Sequence, residues 1–131
     1  IPETEGDVIR CIAQSLAMKC AYAVKGLEDT LGKKIDVIHM LGGGIKDKMV
    51  CKFIANATGK KVIAGPVEAT STGNALMQLT ALGKIKDLNE AREVVRNSFD
   101  VTEYMPEEPE KWDRAYNDLF IKYNICQTTV F

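Results

Sequence analysis

At 131 residues, with 46% hydrophobic and 27% charged residues and a formal net charge of −1, the chain is sized for one globular unit around a modest core. Its charges are mixed and nearly balanced, which gives no electrostatic ground to expect a nucleic acid or an anionic membrane as partner. The apolar runs fall well short of the roughly 20 residues that span a bilayer, and the acidic start Ile1-Pro2-Glu3-Thr4-Glu5 lacks the pattern of a signal peptide, so a cytoplasmic location is expected.

Over residues 7–31, Ile9, Ile12, Leu16, Cys20, Val24, Leu27 and Leu31 recur every three or four positions and predict a long amphipathic helix stopped by Gly32. Residues 35–41 are β-branched or apolar on both faces apart from Asp36 and His39, as in a buried parallel strand. Gly42, Gly43 and Gly44 follow at its carboxyl end. A second helix is predicted over residues 47–58, with Met49, Val50, Phe53, Ile54 and Ala57 on one face and Gly59 suited to the left-handed terminal position. Residues 61–64 read as another short strand, broken by Gly65-Pro66 before a helix over residues 69–82 closed by Gly83. Asp87-Leu88-Asn89-Glu90 has the form of a capping box opening a helix that runs to about Ser98. Residues 101–104 add a short extended segment. Pro109 suits the first turn of a final helix whose Trp112, Ala115, Tyr116, Leu119, Phe120 and Tyr123 share a face. Residues 126–131 carry no pattern.

Strand alternating with helix points to an α/β domain with parallel pairing. Two clear strands make a thin sheet where four to six or so are common. The chain therefore reads as one piece of a larger α/β fold, or as a unit whose sheet is completed by a second copy.

Cys11, Cys20, Cys51 and Cys126 lack metal-binding or CxxC spacing and read as reduced thiols. His39 has no Cys, Asp or second His at ligand spacing and reads as a satisfied buried or sheet-facing histidine rather than a metal or catalytic residue. Thr70, Ser71 and Thr72 serve capping and packing, or offer hydroxyls to a ligand. Glu103, Glu107, Glu108 and Glu110 resemble paired carboxylates in composition alone, and near two prolines they favour a helix N-terminus. Trp112 and its neighbours have the spacing of core packing. The glycine run exposes bare backbone before a helix N-terminus, a geometry that suits a nucleotide. It matches neither G-x-G-x-x-G nor a Walker A loop, and a tight turn for close helix–strand packing is the other reading.

Leu41-Gly42-Gly43-Gly44, a helix ending in Ala57-Thr58-Gly59, and then Val62 to Thr70 with Gly73-Asn74 resemble the C-terminal part of the rhamnulokinases, sugar kinases of the FGGY group. The opening stretch through Arg10, with Ser15-Leu16-Ala17, resembles the segment preceding the glycine motif in that family. The likeness covers about residues 1–124, leaving 125–131 as a tail. Ala64-Gly65-Pro66-Val67-Glu68-Ala69-Thr70 with Gly73-Asn74 favours rhamnulokinase over xylulokinase or glycerol kinase relatives, while another FGGY kinase such as a fuculokinase would be separated by upstream sequence.

The resemblance implies an incomplete ribonuclease H-like domain of the actin-like ATPase type, parallel strands flanked by long helices. Its glycine turn would carry the adenosine side of ATP, with Gly42, Gly43, Gly44, Lys46 and Asp47 as the cofactor-binding residues. Where the family has a small residue, a polar residue and Asn, this chain has Ile45, Lys46 and Asp47. An aspartate accepts a hydrogen bond from an exocyclic amine but cannot donate as an amide does, and Ile45 adds bulk beside the turn. The family's phosphate hairpin and its catalytic aspartate belong to sequence preceding this stretch, so no catalytic residue and no metal ligand is expected here. The partners implied are ATP or ADP with Mg²⁺, L-rhamnulose in the intact enzyme, an N-terminal kinase domain, and a possible second copy of the chain.

Overall fold

The computed structural model describes residues 2–121. In chain order it contains α1 (Glu5–Leu31), β1 (Val37–Met40), a 3-10 turn (Gly43–Lys46), α2 (Lys48–Thr58), β2 (Lys61–Ala64), α3 (Ala69–Ala81), α4 (Leu88–Ser98), β3 (Thr102–Tyr104) and α5 (Pro109–Tyr116), the last continued by a π turn (Asn117–Ile121).

Local chemistry sets most of these boundaries. At the start of α1 the Thr4 hydroxyl accepts from the Asp7 N–H at 3.2 Å while Asp7 accepts from the Thr4 N–H at 3.1 Å, a complete capping box. The Thr4 hydroxyl and the amides of Thr4 and Glu3 hold the Asp7 carboxyl below its ordinary pKa. Gly32 ends α1 at φ 61° and Gly59 ends α2 at φ 64°, left-handed positions where a Cβ would be strained. Asp87 caps α4 through the amides of Asn89 and Glu90, and Glu90 reaches back to the Lys86 N–H rather than to the cap residue's own.

The sheet has the order β1-β2-β3. β1 and β2 are parallel, with Ile38 opposite Val62 and Met40 opposite Ala64. β3 runs antiparallel to β2, with Tyr104 opposite Val62 and Glu103 opposite Ile63. Strand alternation turns Ile38, Met40, Val62, Ala64 and Tyr104 toward α1 and α2, and puts His39, Ile63 and Glu103 in one row on the other face. The core lies on the first face, where Ala17, Met18 and Ala21 of α1 meet Ile54, Ala55 and Ala57 of α2 above Val62, with Tyr116 of α5 closing one side. Lys25 links α1 to α5, lying 3.9 Å from the Tyr116 ring centre and 3.3 Å from Asp113.

Two expectations are corrected, the first being that β3 pairs antiparallel with β2 where parallel pairing was expected, a direction that a three-residue strand does not encode locally. The predicted apolar face of α1 is buried only in part: Val24 is buried and Cys20 packs half-buried against the core, but Ile9, Ile12, Leu16, Leu27 and Leu31 are exposed, and the helix buries Ala13, Ala17, Met18, Ala21 and Glu28 in their place. Both faces are apolar, and the alanine face permits the closer approach to the Cys51 and Ala55 side of α2. Periodicity gave weight to bulk, whereas the interface selected small side chains.

Glu28 anchors the far end of α1. Its Oε1 accepts from Lys60 Nζ at 2.6 Å and from the Ile35 N–H at 2.7 Å, and Lys34 lies 3.5 Å from Oε2. These partners, the Lys60 ammonium foremost, lower its pKa from 4.5 to about 2.

Candidate functional site

The carboxyl ends of β1 and β2 meet at the glycine turn. Gly42 adopts φ 83°, accessible at little cost only to glycine, and its N–H donates to Pro66 O at 3.4 Å. The 3-10 turn is then closed by Ile45 N–H to Gly42 O and Asp47 N–H to Gly44 O, each at 3.3 Å. As its opening residues, Gly43 and Gly44 have amides without an acceptor inside the turn. A Cβ placed on Gly42, Gly43 or Gly44 would meet no atom within 4 Å, so the run is not demanded by packing against the rest of the chain. The bare backbone faces open space, where a ligand has access.

The other predicted site residues sit around this turn. Lys46 is its last residue and is exposed. Asp47 is committed in part to structure, since its Oδ1 accepts from the Met49 N–H at 3.0 Å and the Val50 N–H at 3.1 Å, capping α2. Ile45 is half-buried. Its carbonyl accepts from the Sγ of Cys51 at 3.8 Å, and Cys51 is fully buried beneath the turn. Burial, followed by the charge of Asp47, pushes the Cys51 thiol up, which keeps it protonated as a donor.

Beside the turn a cleft of about 1010 Å³ opens on the second face of the sheet, bounded by Leu41, Gly65 and Pro66 near the strand ends, by His39 and Ile63 below, and by α4 with Arg92 and Arg96 opposite. Crevices at the carboxyl ends of parallel strands are where open α/β sheets place their ligands. The residues present fit an adenosine-type group to this extent: exposed backbone donors at the glycine turn, beside an open cleft with room for a ring. Among the described residues, no group of three or more His, Cys, Asp or Glu is placed to hold a metal ion.

The remaining candidates are dispersed. His39 is exposed in the middle of β1. Thr72 donates to Glu68 O at 2.8 Å inside its own helix. Glu103 pairs with Lys61 and Glu107 with Lys52, each at 2.8 Å, while Glu108 pairs with Lys111, so these carboxylates form no couple. Trp112 packs against the core with its ring 5.2 Å from Phe53. Cys11, Cys20 and Cys51 are free thiols, and Cys126, Phe120 and Tyr123 fall where side chains lie outside the described residues. No helix among the described residues is long and apolar enough to cross a membrane. Sequence reasoning missed Gly65, Pro66 and Cys51 as supports of the turn. The glycine and proline were visible, but only as a strand breaker.

The architecture is one already seen in a sugar kinase. It aligns with the crystal structure of xylulose kinase from Rhodospirillum rubrum at a TM-score of 0.68 and 20% sequence identity, over 95% of this chain and 25% of that one. The description of the FGGY family of carbohydrate kinases, C-terminal domain, matches residues 1–82. The chain belongs to that family. Among curated relatives, it is 44% identical over 108 residues to a rhamnulokinase of Bacillus subtilis, covering 82% of this chain and 22% of the relative. It is 34% identical over 116 residues to a rhamnulokinase of Bacteroides thetaiotaomicron, covering 88% and 24%. The chain thus spans about a quarter of the length of the relatives it matches.

Proposed function

We propose that this chain is the C-terminal, adenosine-binding portion of a cytoplasmic, rhamnulokinase-like enzyme that transfers the γ-phosphoryl group of ATP to the 1-hydroxyl of L-rhamnulose with Mg²⁺. The observation that carries the reading is the open glycine turn within a stretch 44% identical to a rhamnulokinase. ATP, when bound, supplies the phosphoryl group. This chain's residues supply a platform: Gly43 and Gly44 present amides and unobstructed backbone, Gly42 makes the left-handed bend, Lys46 adds positive charge, and Asp47 fixes the turn to α2 while leaving one carboxylate oxygen for a donor. The domain is assigned to residues 1–124, with 125–131 as a tail.

Phosphoryl transfer depends on positioning and on electrostatic stabilisation from both sides of a cleft, so the platform alone should turn over little or no substrate. Sugar contacts, the base and the metal site are assigned to the N-terminal kinase domain, in the part of the relatives that this chain does not span. Calorimetric titration with ADP and Mg²⁺, repeated on Gly44→Val, tests the assignment. Gly44 has no left-handed φ and no atom within 4 Å of a Cβ, so the valine fits the fold and obstructs only the open side. Binding by the wild type and its loss in the variant are expected; no heat in either would overturn the adenosine platform.

A second reading rests on the sheet edge. β1 has β2 on one side and no strand on the other among the described residues. Such an edge can pair with a second copy, making the chain an association module, and a concentration-dependent dimer without nucleotide binding would favour that reading. Membership of another FGGY kinase, such as a fuculokinase or xylulokinase, would show as phosphorylation of a different sugar by the intact enzyme.

A further inference from the structure

The glycine turn is held from behind as well as open in front. The Gly65 N–H donates to Met40 O at 3.0 Å, and the Gly42 N–H donates to Pro66 O at 3.4 Å. Pairing between β1 and β2 therefore continues past both strands into the turn. Gly65 and Pro66 are buried, and Gly65 has φ 137°. A Cβ at Gly65 would lie 3.0 Å from Asp100 O, 3.4 Å from Val101 Cα and 3.5 Å from Val101 Cγ2. One side of Gly65 thus bonds to the end of β1, and the other lies against the chain entering β3. The nearest obstacles are backbone atoms, which cannot yield by changing a rotamer.

Building on the reading of the turn as an adenosine platform, we propose that Gly65 is a positioning residue for it. With Pro66, Gly65 fixes Gly42 and hence the direction of the Gly43 and Gly44 amides, and Asp100 and Val101 are the wall against which it rests. The wall lies outside residues 1–82, the stretch matched by the family description. A side chain at position 65 meets that wall and displaces its own backbone, and the displacement passes through the Pro66 carbonyl to Gly42. The C-terminal segment around β3 thereby governs nucleotide affinity without touching the nucleotide.

Amide hydrogen exchange on the ¹⁵N-labelled 131-residue chain, with parallel ADP titration, tests this on Gly65→Ala against Gly59→Ala. Gly59 is an apt control: its φ is also positive, at 64°, and it lies at the far end of α2 with nothing nearer a Cβ than Pro109 at 4.0 Å. In Gly65→Ala the Gly42 amide should exchange roughly tenfold faster or more while the Val62 amide changes in proportion to global stability alone. The ADP dissociation constant should rise by a similar factor. Gly59→Ala should lower the unfolding midpoint yet leave Gly42 exchange, corrected for that loss, and ADP affinity as in the wild type. Unchanged Gly42 exchange in Gly65→Ala would overturn the proposal. Should that variant fail to fold, Val101→Ala takes its place, removing the Cγ2 from the wall; faster Gly42 exchange supports the proposal and unaltered exchange defeats it. A wild type that binds no ADP would remove the adenosine reading, and Gly42 exchange would still decide whether Gly65 sets the turn.

Discussion

α2 and α3 are successive helices of 11 and 13 residues, each entered from a glycine-containing connection after a strand, yet they live in different surroundings. α2 buries Cys51, Ile54, Ala55, Asn56 and Ala57 between α1 and the sheet. α3 buries no residue, and Met77, Leu79 and Leu82 stay exposed along it and at its end. Helices of this length gain most of their stability from packing an apolar face, so the chain contains one well-supported layer and one poorly supported one. The two faces of the sheet are covered just as unequally. The α1 and α2 side is complete within the chain, while the opposite side, with His39, Ile63 and the cleft beneath α4, is sparsely covered. A relative about four times as long has material with which to cover it.

The largest expected effect comes from emptying the complete layer. Ile54→Ala removes a core side chain 7% exposed and should cost about 2–4 kcal/mol in urea denaturation. Met77→Ala, at a residue 69% exposed on α3, should stay within about 0.5 kcal/mol. Comparable losses from the two would erase the contrast. Glu28 sharpens it further, because Lys60 and the Ile35 amide tie α1 to the sheet side through this one carboxylate. Its folded pKa of about 2 lies below the ordinary 4.5, so its contribution is fully present above pH 4.5 and is lost as pH falls through about 2. Glu28→Gln should be less stable than the wild type at neutral pH, and the gap should close progressively over that window in pH-dependent urea melts. A constant gap from pH 7 to pH 2 would refute the assignment.

How much of this could be read in the sequence depends on the distance over which each feature is determined. The Gly32 and Gly59 stops, the α4 cap at Asp87 and the Pro109 entry to α5 came through because each is fixed by residues within one helical turn. The strand, glycine turn and helix around Gly42 to Gly44 were legible for the same reason. The buried face of α1 was not, since two apolar stripes compete and the choice rests on α2. Nor was the antiparallel direction of β3, which a three-residue strand does not encode locally. The supports of the candidate site were the least legible. Gly65 meets Asp100, and Asn56 Oδ1 accepts from the Glu107 N–H at 2.7 Å, contacts between segments far apart in the chain.

A smaller effect tests how firmly the turn is joined to the packed layer. Asp47→Ala removes the cap on α2 and should cost about 1 kcal/mol, whereas Asp47→Asn, an equally good cap, should cost only a few tenths or so. ADP affinity measured on both distinguishes two roles. Loss in the alanine variant alone would mean that Asp47 acts by holding the turn. Loss in both would mean that the carboxylate itself meets the ligand.

The smallest effect probes the poorly supported layer directly. Gly73 lies inside α3, and a Cβ there would meet no atom within 4 Å, so Gly73→Ala should stabilise the helix by about 0.5–1 kcal/mol through the unfolded chain's lost freedom. Where that gain appears is the informative part. If α3 opens independently of the core, its own amides should exchange more slowly while the global unfolding midpoint, set by Ile54 and its neighbours, stays fixed. A midpoint that rises with the helix would mean that α3 unfolds together with α1 and α2, and that the contrast in burial between the layers does not carry over into cooperativity.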